Sequence, residues 1–295
     1  MSLIPFPIYN GAESVCRGLS DRLLNGVVIL KMFGLIKNKP LLNQASMDWL
    51  LATFGWSLRN FNADFFHKDT RLVLPTNEYF PGVADSTEGM AKLIFEQVKQ
   101  YAGVRHWPTS VIDQNQCPVI DQRPLLLQGP IRGGDVEGSI VKDQSQRLSI
   151  PYNPQQINNP EGMIASFAHI LAYYLGQMTQ EPPPGGADYW PETTELLAIF
   201  MGFGLMFANS AFTFKGGCGS CYNPSAVRQA ALSEYEATYA LALFAVLKEI
   251  PNATVSRHLK KHLRGFYKKA VKEIQANQDG LSELMSTGRE LAPQA

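Results

Sequence analysis

The hydrophobic pattern is densest between Ile157 and Phe214, where two apolar stretches flank a polar excursion. Asn159-Pro160 opens the first, with proline suited to a first helical turn, and Ala165, Ala168, Leu171, Ala172 and Leu175 make this helix apolar on most sides. A helix that is apolar nearly all round is a buried one. Residues 177 to 191 contain four prolines and two glycines and read as a loop. A second apolar helix begins at Glu192 and leads into Leu196 to Phe214, a run without a charge. A third is predicted from Ser233, which forms a capping box with Glu236, to the apolar run Ala240 to Leu247.

Weaker patterns precede this core. Residues 1 to 45 carry scattered apolar positions without a firm period. Ser46 reads as the cap of a helix with Trp49, Leu50 and Phe54 on one face. Arg71-Leu-Val-Leu74 reads as a strand stopped by Pro75. Asp85 with Glu88 fits a second capping box, followed by the stripe Met90, Leu93, Ile94, Val98 and Tyr101 and a stop at Gly103. Between Asn115 and Ile150, β-branched residues, Gly and Pro predict three or four short strands in hairpins. Near the end, Leu259, Leu263, Phe266, Ala270 and Ile274 predict one helix from Ser256 to Ala276, and the polar tail beyond Asn277 reads as loose. The fold class is therefore α+β: a mixed N-terminal region (1–114), a small antiparallel β region (115–152) and a mainly helical core with a basic last helix (153–295).

Composition narrows the function classes. Among 295 residues, 26 basic and 26 acidic side chains cancel, so no global field points to nucleic acid or an anionic membrane. The first residues lack a basic stretch followed by an unbroken apolar run, which predicts a cytoplasmic protein. Four cysteines do not make a disulfide scaffold, and reduced thiols are expected. The charge-free run could just span a bilayer, but Gly202, Gly204, Asn209 and Ser210 interrupt it and a core helix is the simpler reading.

Candidate chemistry centres on His169 in the first apolar helix and on Glu192 and Glu195 at the start of the second. Zinc peptidases of the gluzincin type place two His one turn apart on a helix, with Glu beside the first as general base, and take a third ligand from a following helix. Here Ile170 stands at the position of the base and Tyr173 at that of the second His. The region from Ile150 to Leu247 resembles a group of uncharacterised bacterial proteins with an A-H-E-L-x-H helix. The matching pieces are Ala168-His169, Thr194-Glu-Leu-Leu197, Phe200-Met-Gly-Phe-Gly204, Ala208-Asn-Ser210 and Tyr239-Ala-Leu-Ala-Leu-Phe-Ala245. Thr70 to Thr76 and Trp107-Pro108 resemble the front half of that group. The resemblance implies a zincin-like helical core, with the two residues that carry the chemistry replaced.

Three readings follow. The first is a catalytically inactive metallopeptidase-like relic without cofactor, acting by binding or structure. The second is a metal-dependent hydrolase with an atypical site drawn from His169, Tyr173, Glu195 and Glu192, with zinc as its cofactor. The third makes His169 an ordinary core histidine and Glu192 and Glu195 first-turn acids favoured by the helix dipole. Two smaller constellations stand apart. Cys218 and Cys221, with His258 and His262 after a gap of thirty-six residues, spell a second weak metal candidate. Arg257, Lys260, Lys261, Arg264, Lys268, Lys269 and Lys272 form a basic face that could meet an acidic partner. No stacking aromatic punctuates it, so nucleic acid is not expected, and neither is a membrane.

Overall fold

In the computed structural model, the described residues are 40–115, 127–128, 130–134, 140–141, 147–211 and 230–287. The first helix, α1 (Gln44–Asn60), is capped by Asn43, whose side chain accepts from the Ser46 amide at 2.7 Å. Ser46 is thus inside the first turn and not the cap, because Asn43 is the last residue with extended backbone. Leu50 and Phe54 are fully buried, and Trp49 is partly buried with Nε1 donating to the Pro184 carbonyl. A short α2 (Ala63–Lys68) follows. The next helix, α3 (Thr87–Tyr101), is capped by Ser86 and not by Asp85; Glu88 forms an ion pair with Lys92 one turn on.

Residues 71 to 74, read from sequence as a strand, form no regular element and join no sheet. Leu72 and Val73 are buried, and the Val73 amide donates to the Gly202 carbonyl at 2.9 Å. A helix, and not a strand, accepts this segment.

The larger sheet corrects the antiparallel expectation. Strand β1 (Thr109–Asp113) pairs in parallel with a strand late in the β region, Leu148–Tyr152, with Thr109 opposite Leu148. Inside the crossover lie β2 (Leu127–Gln128) and β3 (Ile140–Val141), which form a separate antiparallel pair; the Leu148–Tyr152 strand is β4. A parallel pair needs a long connection, and the stretch between β1 and β4 supplies it. β4 alternates, with Leu148, Ile150 and Tyr152 buried, whereas β1 is half-buried throughout and gives no alternating signal.

The helical core begins with α4 (Pro160–Gly176), capped by Asn159 as its sequence predicts. The second apolar helix is three pieces in one: α5 (Trp190–Ala198), a π-helical turn (Ile199–Phe203) kinked at Gly202, whose backbone is not helical, and α6 (Gly204–Ser210). By length and composition the stretch Ala187–Ser210 could cross a membrane, but 94% of its apolar window is buried within the fold, as in a core helix. Next comes α7 (Glu234–Leu247), with the Ser233–Glu236 capping box present in full. It packs between α6 and the C-terminal helices.

The single basic helix expected from Ser256 to Ala276 is two, α8 (Asn252–His258) and α9 (Lys261–Ala276). Leu259 and Lys260 are extended between them, and Asn209 holds the break. Its Nδ2 donates to the His258 carbonyl and its Oδ1 accepts from the Lys260 amide, both at 3.0 Å. The described part of the tail is helical as well: α10 (Gln278–Thr287) buries Leu281 and Leu284 and packs against α1. One hydrophobic core runs from Met47 to Leu284, within the compact unit Leu41–Ala295.

Gly202 carries φ of 105°, and a Cβ placed there would lie 2.1 Å from the Arg71 carbonyl oxygen. Gly202→Ala is expected to lower stability by roughly 3 kcal/mol, combining backbone strain with displacement of the 71–74 segment. Equilibrium urea unfolding measures it, and a loss within the range of an exposed Gly→Ala change would refute the constraint.

Candidate functional site

The two helices that carry the candidate residues do meet. α4 packs against α5, and at Gly176 the approach is close enough that a Cβ would stand 2.7 Å from Trp190 Cζ3. α4 also rests on the parallel sheet, with the Tyr174 hydroxyl donating to the Ser149 carbonyl. His169 and Tyr173, one turn apart, share a half-buried stripe of α4 with Ser166 and Ile170. The Tyr173 ring stands edge-on to Tyr174 at 5.7 Å, and burial pushes its hydroxyl pKa up. Burial thus disfavours the phenolate that would ligate a metal best.

Glu195 is fully buried and serves the backbone. One of its oxygens accepts from the Ala231 amide and the other from the Leu232 amide, both at 3.0 Å. These amides belong to the segment that enters α7, so the carboxylate pins α5 to the start of its neighbour. A charged acceptor suits them, because bonds from N–H to an ionised carboxylate are among the stronger ones. Glu192, one turn earlier, is half-buried in the first turn of α5. Burial, reinforced by the negative charge of Glu236, holds its carboxyl above the ordinary value of 4.5. Glu236 is itself engaged, by Ser46 Oγ at 3.1 Å and by the Ser233 amide and hydroxyl.

The second metal candidate is not assembled as its spacing suggests. His258 ends α8 and His262 lies in α9, so the break at Leu259–Lys260 removes the one-turn relation between them. His262 Nε2 lies 3.1 Å from a Glu234 carboxylate oxygen. Cys218 and Cys221 lie outside the described residues. Among the described residues, no three His, Cys, Asp or Glu side chains gather closely enough to hold a metal ion.

The basic face is partly spent on structure. Arg264 folds back, its guanidinium donating to the Leu259 and Arg257 carbonyls at the end of α8. Arg257, Lys260, Lys261, Lys268, Lys269 and Lys272 are exposed, and no described carboxylate pairs with them.

A cation that the sequence does not announce sits in the core instead. Arg132 is completely buried, with Nε donating to the Ala102 carbonyl at 2.9 Å and Nη2 to Thr70 Oγ1 at 3.2 Å. Its guanidinium carbon lies 5.0 Å from the centre of the Phe65 ring and 5.2 Å from that of Phe200. Burial draws its pKa down to about 9, still above neutrality, so it remains a cation held by two ring faces and neutral acceptors. Nothing in the neighbouring sequence, Ile131-Arg-Gly-Gly134, distinguishes it from a surface arginine.

No protein-family model, curated protein or solved structure matches the chain.

Two measurements check this description. Glu195→Ala leaves two amides without their acceptor and is expected to cost about 2–4 kcal/mol in urea unfolding; a near-neutral result would show that the carboxylate does not hold the start of α7. For Glu192 the sign follows from linkage. With its carboxyl raised in the folded state, that state binds the proton more tightly than the unfolded chain, so stability falls as pH rises from the unfolded value through the folded one. Glu192→Gln should flatten this fall and melt above the parent at about pH 7, as thermal unfolding across the acidic range will test.

Proposed function

We propose that this chain is a non-catalytic cytoplasmic protein with a metallopeptidase-like, zincin-type helical core, acting by binding or as a structural component. The observation that carries this reading is the pair of hydrogen bonds that Glu195 accepts from the Ala231 and Leu232 amides. In a working gluzincin, the carboxylate from the second helix ligates zinc. Here the corresponding carboxylate holds backbone, and the residues at the positions of the base and the second His are Ile170 and Tyr173. An isoleucine side chain cannot accept a proton from a metal-bound water, and loss of a general base alone lowers rates by about 10²- to 10⁴-fold. The packing of α4 on both α5 and the parallel sheet supports the zincin-like reading of the core.

The test pairs an assay with a reconstruction. The purified chain is expected to cleave no member of a broad peptide library and to bind no zinc by calorimetry or elemental analysis. Ile170→Glu combined with Tyr173→His should then gain measurable zinc affinity if the helix retains zincin geometry. Zinc-dependent cleavage by the parent chain, abolished by His169→Ala, would instead establish the metal-dependent hydrolase. A double variant without zinc affinity would count against the zincin-like core.

A further inference from the structure

A cavity of about 210 Å³ lies where segment 71–74 faces the turn between α7 and α8. Its apolar lining is Leu72, Leu74 and Ile250, and its polar groups are Arg71, Lys248 and Thr254, with Tyr79 completing the wall. Two of these side chains are cations and none is an acid. Arg71 is exposed and no described carboxylate pairs with it. Lys248 is half-buried, donates two of the three protons of its ammonium to the Phe66 and His67 carbonyls and stands 5.4 Å from the Phe66 ring. Burial lowers the pKa of this amine, and Asp69 acts in the opposite direction.

The lining is built on fixed backbone. Segment 71–74 is locked to the kink at Gly202 by the bond from the Val73 amide to the Gly202 carbonyl. On the opposite wall, Lys248 and Ile250 are held by the turn that closes α7: Glu249 between them adopts φ of 52°, and the Glu249 and Ile250 amides donate back to the Val246 and Ala245 carbonyls, a Schellman cap.

We propose that this cavity binds a small organic carboxylate, its apolar body against Leu72, Leu74 and Ile250 and its charged end between Arg71 and the Lys248 ammonium. A guanidinium fork matches a carboxylate in geometry. The volume suits a ligand on the order of ten non-hydrogen atoms, smaller than the drug-sized occupants of larger pockets. The site is separate from the face of α4 that carries His169, so the outcome of the zinc experiments does not bear on it.

Hexanoate is a suitable probe for the full-length chain, with hexan-1-ol as the neutral control of equal length. In an amide chemical-shift titration, hexanoate should bind with a dissociation constant on the order of 1 mM. The largest shifts should fall at Leu72, Leu74, Ile250 and Thr254. Arg71→Ala should weaken binding about tenfold, Arg71→Glu should abolish it, and hexan-1-ol should bind at least about tenfold more weakly than hexanoate. No shifts at about 10 mM probe, shifts centred elsewhere, equal affinity for the alcohol, or an unchanged constant in Arg71→Ala would each overturn the proposal. Arg71 is exposed, so its variants should keep the fold. The parent shift map and the alcohol comparison decide the question even without them.

Discussion

At Gly202 there is no room for a side chain, because the Arg71 carbonyl oxygen occupies the place a Cβ would take. The same glycine gives its own carbonyl to the Val73 amide and so turns a helix into a docking edge for segment 71–74. Much of the structure follows from this contact. The helix that contains Gly202 kinks there, the glycine's φ of 105° lying outside the helical region, and the carbonyl is thereby free to meet the Val73 amide. Segment 71–74 buries Leu72 and Val73 without needing a sheet partner. The N-terminal helices and the helical core thereby share one hydrophobic interior.

Close to that contact, the fold tolerates a buried cation without a buried anion. Arg132 lies between the faces of Phe65 and Phe200, and Phe200 is stacked on Phe66 at 4.6 Å. Lys248 stands 5.4 Å from the Phe66 ring and is anchored on the carbonyls that end α2. Two cations thus flank one run of aromatic rings whose negative faces, with backbone carbonyls, replace carboxylates as partners. Such an arrangement keeps charge in the interior while avoiding the geometric demands of a buried ion pair. It also joins α2, α3, the π-helical turn and the end of α7 through side chains from distant parts of the sequence.

Several polar residues that the sequence brings to notice turn out to support neighbouring backbone. Glu195 holds the start of α7, Asn209 holds the break between α8 and α9, and Arg264 closes the last carbonyls of α8. All three are polar groups at helix ends, where unpaired amides and carbonyls need partners. A metal-binding helix pair and a helix pair stabilised in this way require similar residue types at similar places. The difference lies in what each carboxylate or amide touches.

Local pattern by itself determined much of the helical half. Asn159-Pro160 and the Ser233–Glu236 box act within one turn of their own helices, so the starts of α4 and α7 were legible, as was the burial of both. The i, i+4 spacing likewise put His169 and Tyr173 on one face. Other features were settled by partners far along the chain. The break at Leu259 depends on Asn209, fifty residues earlier; the helix in the tail depends on α1, and the parallel pairing of β1 depends on a strand across a long crossover. Glu195 shows the division most clearly: its place on the second apolar helix could be read from sequence, although it lies beyond the first turn expected for it, but its amide partners, thirty-six and thirty-seven residues on, could not. Helix caps and periodic faces are set by neighbours a few residues away, whereas the identity of a buried polar group's partner is fixed only when distant backbone is brought within hydrogen-bond reach.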